Sequence, residues 1–401
     1  MRMPFRVCVF LLCLSRVAVA QQAAVPGSPS AQTGQAPAPE AKSPQLVPRP
    51  APAPESSEGK IQLDVVVTSK QSGPVSGLGL KDFSLFDNKK SQEILSFHAV
   101  DLAAGASDRP VEIILLLDLV NSTFEQASIA RAQITKFLEE NSGHLIYPTS
   151  IMVLTQEGLR IQPRPSTDGN ALVSVLGQAD AATRSVALGD AGRFQLSVRS
   201  LASIAENETM SPSRKILIWT GPGWPMLVGS NPASSSQERE RTFDAIVEIS
   251  TKLRESHIAL YSISSAGSPT TGTPGVVSQA HGGLMPGSEA PQQSRSGPIM
   301  TDTAEGPNYK EFLRGVKSAH QAEAGDLALQ VFAIQSGGRV LDPSNDLAGQ
   351  IAKCVEDLSA FYTLSFTPAH ADHVNDYHDL KVQVARPGLA ARTNTGYYNQ
   401  P

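Results

Sequence analysis

Cysteine is scarce in this chain of 401 residues, which contains three. Two of them fall within the first twenty residues, where a short basic start is followed by the apolar run VCVFLLCL and by Ala18-Val19-Ala20. This order predicts an export signal cleaved after residue 20. Cleavage leaves Cys354 as the only thiol, so no intramolecular disulfide is expected and the fold has to rest on its core.

Long apolar runs and an excess of basic residues are also missing. The run Val7 to Leu14 is too short to span a bilayer, and no later stretch is long enough. A net charge of −5 argues against nucleic acid as a partner, because a nucleic-acid binder needs a basic surface. We therefore expect a secreted or periplasmic protein of the cell envelope, with an uncleaved N-terminal anchor as the alternative.

Common catalytic motifs are absent as well. The sequence contains no Gly-x-Ser-x-Gly, no His-Glu-x-x-His and no Gly-x-x-x-x-Gly-Lys. Gly221-Pro222-Gly223 follows an apolar run, but its proline removes one of the N–H donors that a phosphate-binding loop uses. The sequence therefore predicts a protein that is not an enzyme.

Composition divides the chain into five segments. Alternating and continuous apolar runs predict strands, and Pro/Ala-rich stretches predict linkers. The expected segments are a signal peptide (1–20), a Pro/Ala-rich disordered linker (21–59), an N-terminal β module (60–106), an α/β domain with a flexible insertion at 265–306 (107–358), and a C-terminal β hairpin that packs with the N-terminal module (359–401).

The α/β domain is predicted from its alternation of strands and helices. VEIILLLD and KILIWT are continuous apolar runs, typical of parallel strands that are covered on both faces. Between such runs lie amphipathic stretches, for example Phe124 to Glu140. This alternation predicts a doubly wound, mostly parallel sheet flanked by a small β module built from the N- and C-terminal strands.

One strand of this sheet ends in a carboxylate. Asp118 closes the run IILLLD, and Ser122 follows in the loop before the next helix. Ligands of open parallel sheets bind just beyond the carboxyl ends of the strands. A carboxylate and a hydroxyl at that place are oxygen ligands of the kind that a hard divalent cation prefers.

The stretch LLLDLVNS resembles the von Willebrand factor A domain, in which a strand ends in Asp-x-Ser-x-Ser and binds Mg²⁺ together with a distant Thr and a distant Asp. The matching residues are Asp118, Val120 and Ser122. The wider sequence is similar to a secreted, von Willebrand A-related group found in acidobacteria, through VVVTSKQSGPVSGLGLKDFSLFDN, FYTLSFTP and HDLKVQVARPGLAARTNTGYY.

The resemblance implies an adhesion-type, protein-binding domain with a degenerate metal-ion-dependent adhesion site. Val120 has no oxygen to offer, and Gly221 stands where the family's distant carboxylate is expected. Of the expected ligands, Asp118 and Ser122 remain, so the resemblance implies Mg²⁺ bound weakly or only in a complex. The alternative is that Asp118 and Ser122 cap the following helix.

A second polar cluster lies near the C-terminus, in the stretch AHADHVNDYHD. Its imidazoles and carboxylates are possible Zn²⁺ ligands, although a polar turn between two strands explains the same residues. The cluster comprises His370, Asp372, His373, Asp376 and His378.

The predicted function is the binding of a protein or another envelope macromolecule. The rim beyond the sheet is the expected contact surface, with Trp224 as an aromatic anchor or, alternatively, buried against the sheet edge. The other proposed rim residues are Asn121, Thr123 and Gly221. A metal-dependent hydrolase and a structural component of the cell envelope are the rival interpretations.

Overall fold

The computed structural model describes residues 59–69, 73–102, 109–162, 164–178, 188–225, 235–265 and 309–401. All of them belong to the compact unit Ser56–Pro401. The predicted signal peptide and nearly all of the predicted linker and insertion lie outside the described residues. Within the described ranges, no helix is long and apolar enough to cross a membrane.

In the described residues, strands from both ends of the sequence and from its middle build three sheets. In chain order they are β1 (Ile61–Ser69), β2 (Phe83–Asp87), β3 (Lys90–Gln92), β4 (Ser96–Asp101), β5 (Val111–Asp118), β6 (His144–Thr155), β7 (Gly158–Ile161), β8 (Ser166–Asp168), β9 (Arg214–Thr220), β10 (Ile258–Ile263), β11 (Arg339–Val340), β12 (Ala360–Phe366), β13 (Asp376–Val384), β14 (Leu389–Arg392) and β15 (Gly396–Asn399).

The central sheet has the order β11-β10-β9-β5-β6-β7. The pairs from β11 to β6 are parallel, whereas β7 and β8 both pair antiparallel with β6. Counted along this path in sequence order, the strands run 3-2-1-4-5-6, which is a doubly wound order. The fold class predicted from the sequence is confirmed, including the β module beside the parallel sheet.

Helices cover both faces of the central sheet. They are α1 (Phe124–Gly143), α2 (Gly169–Gln178), α3 (Asp190–Glu208), α4 (Ser236–Glu255), α5 (Leu329–Gln335) and α6 (Leu347–Val355). Side chains of β5 alternate between two cores: Ile113 and Leu115 pack with α1, α2 and α6, whereas Ile114 and Leu116 pack with α3, α4 and α5. This explains why β5 reads as a continuous apolar run, since neither face meets water.

The β module consists of two antiparallel sheets with the orders β14-β1-β12-β4 and β15-β13-β2-β3. Strands from the two ends of the sequence pair directly, with Ile61 opposite Phe366 and Phe83 opposite Val384. The apolar residues of both sheets meet in one core, which includes Leu63, Leu85 and Leu364. An N-terminal stretch and a C-terminal stretch therefore complete a single core that neither builds alone.

The expected C-terminal hairpin does not form, because β12 and β13 lie in different sheets. Every residue of β12 is buried, and the strand already pairs with β1 on one side and β4 on the other. With both edges of β12 occupied, β13 pairs with β2 and β15 instead.

Cys354 is a buried free cysteine on α6, where it packs as a small apolar side chain.

Candidate functional site

The candidate site lies at the point where the strand order of the central sheet reverses. β5 sits between β9 and β6, and the chain continues from β5 through α1 into β6 on one side. Open α/β sheets bind ligands at such a point, outside the carboxyl ends of the strands. Asp118 is the last residue of β5, and Gly221 follows the last residue of β9.

The Asp118 carboxylate accepts four hydrogen bonds, two on each oxygen. Oδ1 accepts from the backbone N–H groups of Val120 at 3.0 Å and Asn121 at 2.9 Å. Oδ2 accepts from Asn121 Nδ2 at 2.8 Å and from Trp219 Nε1 at 2.9 Å. A carboxylate offers about four lone-pair positions, so this one is saturated by donors of the protein itself.

Burial isolates Asp118 from solvent, since its exposed fraction is 0%. Burial raises the pKa of Asp118, and the hydrogen bonds from Asn121, Trp219 and Val120 oppose that rise. Each of these donors is neutral. The site therefore stabilises its carboxylate with dipoles rather than with a positive charge.

These residues do not fit a Mg²⁺ ion. The lone pairs of Asp118 are taken by four N–H donors of the protein, which leaves none to coordinate a cation. Val120, in place of the middle ligand, packs into the apolar core at 6% exposure. In the part of the chain that the structure describes, no three His, Cys, Asp or Glu side chains are grouped to hold a metal ion.

Two neutral oxygens near the site, Asn121 Oδ1 and Thr220 Oγ1, are buried without a protein partner. They do not supply the charge that Mg²⁺ needs, because an ion that dehydrates reluctantly is bound through at least one free carboxylate. The expected degenerate metal site at Asp118 and Ser122 is therefore corrected: Asp118 is a saturated internal acceptor.

Asp118, Ser122 and Gly221 do come together. A Cβ atom added at Gly221 would lie 2.8 Å from Asp118 Cβ and 3.3 Å from Ser122 Oγ. The backbone after β9 thus packs directly against the end of β5, and only a residue without a side chain fits there. Gly221 fills the position where the resemblance expected a second carboxylate.

The capping alternative is also corrected, because Thr123 caps α1. Its Oγ1 accepts from the Gln126 N–H at 3.2 Å, and the Gln126 side chain accepts from the Thr123 N–H at 2.9 Å. This reciprocal pair is a capping box. Asp118 binds backbone N–H groups of the preceding loop instead, and thereby fixes the path of the chain from β5 to Thr123.

Trp224 is not an exposed anchor. Its exposed fraction is 0%, and its Nε1 donates to the Leu327 carbonyl at 2.9 Å. The ring packs edge-on against Trp219, with 5.3 Å between the ring centroids. The two indoles together form a floor beneath the site, and Asn121 is buried beside them at 8% exposure.

Two residues that matter here were not singled out in the sequence. Trp219 lies in the buried strand β9, where its indole N–H requires an acceptor, and that requirement is the signal that was missed. Phe124 is the first residue of α1, six residues after Asp118, and is 92% exposed. The capping box at Thr123 and Gln126 is the sequence signal that places Phe124 at the helix end.

The C-terminal histidine cluster is divided between the turn after β12, which holds His370, Asp372 and His373, and strand β13. His378 and Asp376 belong to β13. His378 Nδ1 lies 2.8 Å from Asp87 Oδ1, and Tyr397 donates to Asp87 Oδ2 at 2.6 Å. His378 is 3% exposed, so these contacts hold β2, β13 and β15 together within the sandwich.

Comparison with known proteins finds weak structural similarity. No family model matches the sequence, and no curated protein matches it. Among solved structures, an aerotolerance-related membrane protein from Bacteroides fragilis shares 14% identity over 61% of this chain and 98% of its own, with a TM-score of 0.30.

Two further similar structures contain a metal ion. The manganese-loaded TRAP protein of Plasmodium vivax shares 13% identity over 42% of this chain and 59% of its own, with a TM-score of 0.24. Proximal thread matrix protein 1 from the mussel byssus, with a zinc-occupied MIDAS motif, shares 14% identity over 39% of this chain and 38% of its own, with a TM-score of 0.23. Overlap this small assigns neither a ligand nor a partner, and the fold class rests on the strand order itself.

Proposed function

We propose that this protein is a secreted or periplasmic, von Willebrand A-like module that binds another protein of the cell envelope without a bridging cation. The contact surface is the rim around the carboxyl ends of β5 and β6, with Phe124 as its aromatic anchor. Export is supported by the N-terminal sequence, and the acidobacterial von Willebrand A-related group by the motifs quoted above.

One observation carries the proposal: a buried, saturated carboxylate ends β5, and the aromatic ring that begins the next helix is exposed. Asp118 has no free lone pair and no catalytic partner among the groups that contact it. Phe124 follows six residues later and leaves 92% of its surface in water. An exposed aromatic ring on a rigid helix end is the kind of residue that anchors protein interfaces.

The β6–β7 hairpin, which begins at the carboxyl end of β6, extends the same rim. Glu157 and Arg160 are exposed, and Ile161 is 41% exposed. An apolar anchor together with exposed charges of both signs matches the apolar centre and polar border of a protein-binding surface. This composition supports a protein partner rather than a small metabolite.

The test compares two exposed apolar residues. A partner is first captured and identified from the native envelope, then purified and titrated against wild type, Phe124→Ser and Met210→Ser. Met210 is a matched control, because it is also 92% exposed but lies beyond the end of α3, before β9 begins. We expect Phe124→Ser to weaken binding by about 30-fold, as for an interface hot spot, and Met210→Ser to leave it unchanged.

The same titration with a chelator tests whether an ion takes part. Equal affinity with and without EDTA is expected, because Asp118 has no lone pair to share. Loss of binding in EDTA, or equal weakening by the two serine variants, would contradict the proposal.

A further inference from the structure

A second concave site lies at the opposite, amino end of the central sheet. It is a cavity of about 300 Å³ between the start of β6, the end of α1 and the end of α6. Its inner wall is apolar and includes Ile113, Phe137, Leu145 and Val355. Nothing in the proposed function uses this cavity, because the rim at Phe124 lies at the other end of the strands.

The walls of this cavity are held in place by regular structure. Ile113 is opposite Thr149 in the β5–β6 ladder, and Phe137 and Leu138 pack into the core from α1. Regular helical geometry of α1 stops at Glu140, and the next three residues have positive φ angles of 51°, 61° and 80°. The Asn170 side chain donates to the Ser142 carbonyl at 3.3 Å and ties down this strained end. The cavity is therefore preformed, as ligand pockets usually are.

The mouth of the cavity is acidic. Glu140 and Glu356 line it and are exposed, and the remaining polar lining includes His144 and Asn141. Among the lining residues that the structure describes there is no Lys or Arg. Ile146 extends the apolar wall towards solvent at 78% exposure. An apolar interior with carboxylates at the entrance favours a ligand with an apolar body and a positively charged end.

We propose that this cavity binds a small organic cation with an apolar body, such as an alkylammonium or an aromatic amine. An engineered apolar cavity of about 150 Å³ holds one benzene molecule, so about 300 Å³ has room for roughly twice that volume. The apolar body lies against Ile113, Phe137 and Leu145, and the ammonium group lies between the carboxylates of Glu140 and Glu356.

The experiment uses the whole protein and three probes of equal chain length: octylammonium, octanol and octanoate. Calorimetric titration is expected to give saturable binding in the order octylammonium, octanol, octanoate. Glu140→Gln and Glu356→Gln should each weaken octylammonium by about threefold, which is typical of an exposed ion pair. Glu139→Gln is the control, since Glu139 is an exposed neighbour on α1 that does not line the cavity.

A filling variant tests the apolar part. Ala352 lines the cavity from α6, so Ala352→Phe should abolish binding of all three probes while circular dichroism shows an intact fold. A second readout in the wild type, the methyl NMR shifts of Ile113 and Leu145 during titration with octylammonium, is independent of whether the variant folds. Absence of saturable binding, unmoved methyl signals, or octanoate binding as tightly as octylammonium would each overturn the proposal.

Discussion

The two ends of the central sheet differ in how accessible they are to a ligand. At the carboxyl end, two indoles, an asparagine and a glycine backbone close around one carboxylate, and Asp118 has no exposed surface. At the amino end, residues from the start of β6 and from the ends of α1 and α6 line a cavity of about 300 Å³. Ligands of doubly wound sheets normally bind at the carboxyl end, which is closed at Asp118 here. The cavity lies instead at the amino end.

The ends also differ in how they treat buried carboxylates. Asp118 at the carboxyl end contacts neutral donors, whereas Asp64 of β1 docks at the amino end beside His257 and Arg109. Burial alone would raise the pKa of Asp64, but the charge and hydrogen bond of His257 and the charges of Arg214 and Arg109 outweigh it and lower the pKa to about 2. Neutral hydrogen-bond donors thus hold Asp118 and the loop after β5. Charged partners hold Asp64 and thereby join the β module to the α/β domain.

The largest effect is expected from Asp118→Ala at the sealed end. The substitution leaves the donors of Val120, Asn121 and Trp219 buried without an acceptor, and each unsatisfied group costs about 1–3 kcal/mol. We expect the free energy of unfolding in urea to fall by about 3 kcal/mol or more. Ser122→Ala is the control and should change it by less than about 0.5 kcal/mol. Equal effects of the two variants would show that Asp118 is not a structural acceptor.

A smaller effect, dependent on pH, is expected from Asp64→Asn at the amino end. The folded pKa of about 2 lies below the ordinary value, so ion pairing stabilises the fold above pH 4 and this contribution is lost as the pH falls through about 2. A shift of this size corresponds to about 2–3 kcal/mol at pH 7, and little of it should remain near pH 2.

The check on Asp64 is urea unfolding of wild type and variant at pH 7 and at the lowest pH that keeps the wild type folded. Asp379→Asn, at an exposed position of β13, is the control. A loss of stability that is the same at both pH values would mean that the pairing with His257 and the two arginines is not what holds Asp64.

The smallest effect is expected from Gly221→Ala, which probes how tightly the sealed end is packed. The new methyl group would lie 2.8 Å from Asp118 Cβ, and overpacking of this kind costs about 1–3 kcal/mol. Gly177→Ala on α2, where no atom lies within 4 Å of the added carbon, should be neutral or slightly stabilising. Thermal unfolding of both variants tests the difference. A Gly221→Ala variant as stable as wild type would show that the packing around Asp118 can accommodate a methyl group.

Local patterns in the sequence were enough to predict most of the elements around the site. The apolar runs of β5 and β9 and the amphipathic stretch of α1 follow from periods that each segment carries by itself. The same patterns placed Asp118 at the end of a strand. They gave the wrong partner for β13, because strand pairing depends on which edges are free, and β1 and β4 had already taken both edges of β12.

The sequence by itself therefore determined the alternation of buried strands and helices, the position of Asp118 at the sheet's carboxyl end, and the start of α1 at Phe124. Only the tertiary structure decided that this carboxylate is closed rather than open, because one of its donors, Trp219, lies 101 residues away along the chain. The apolar periodicity that predicts a strand or helix is a property of each segment alone. The saturation of the Asp118 carboxylate depends on which distant donors the packing brings within 3 Å.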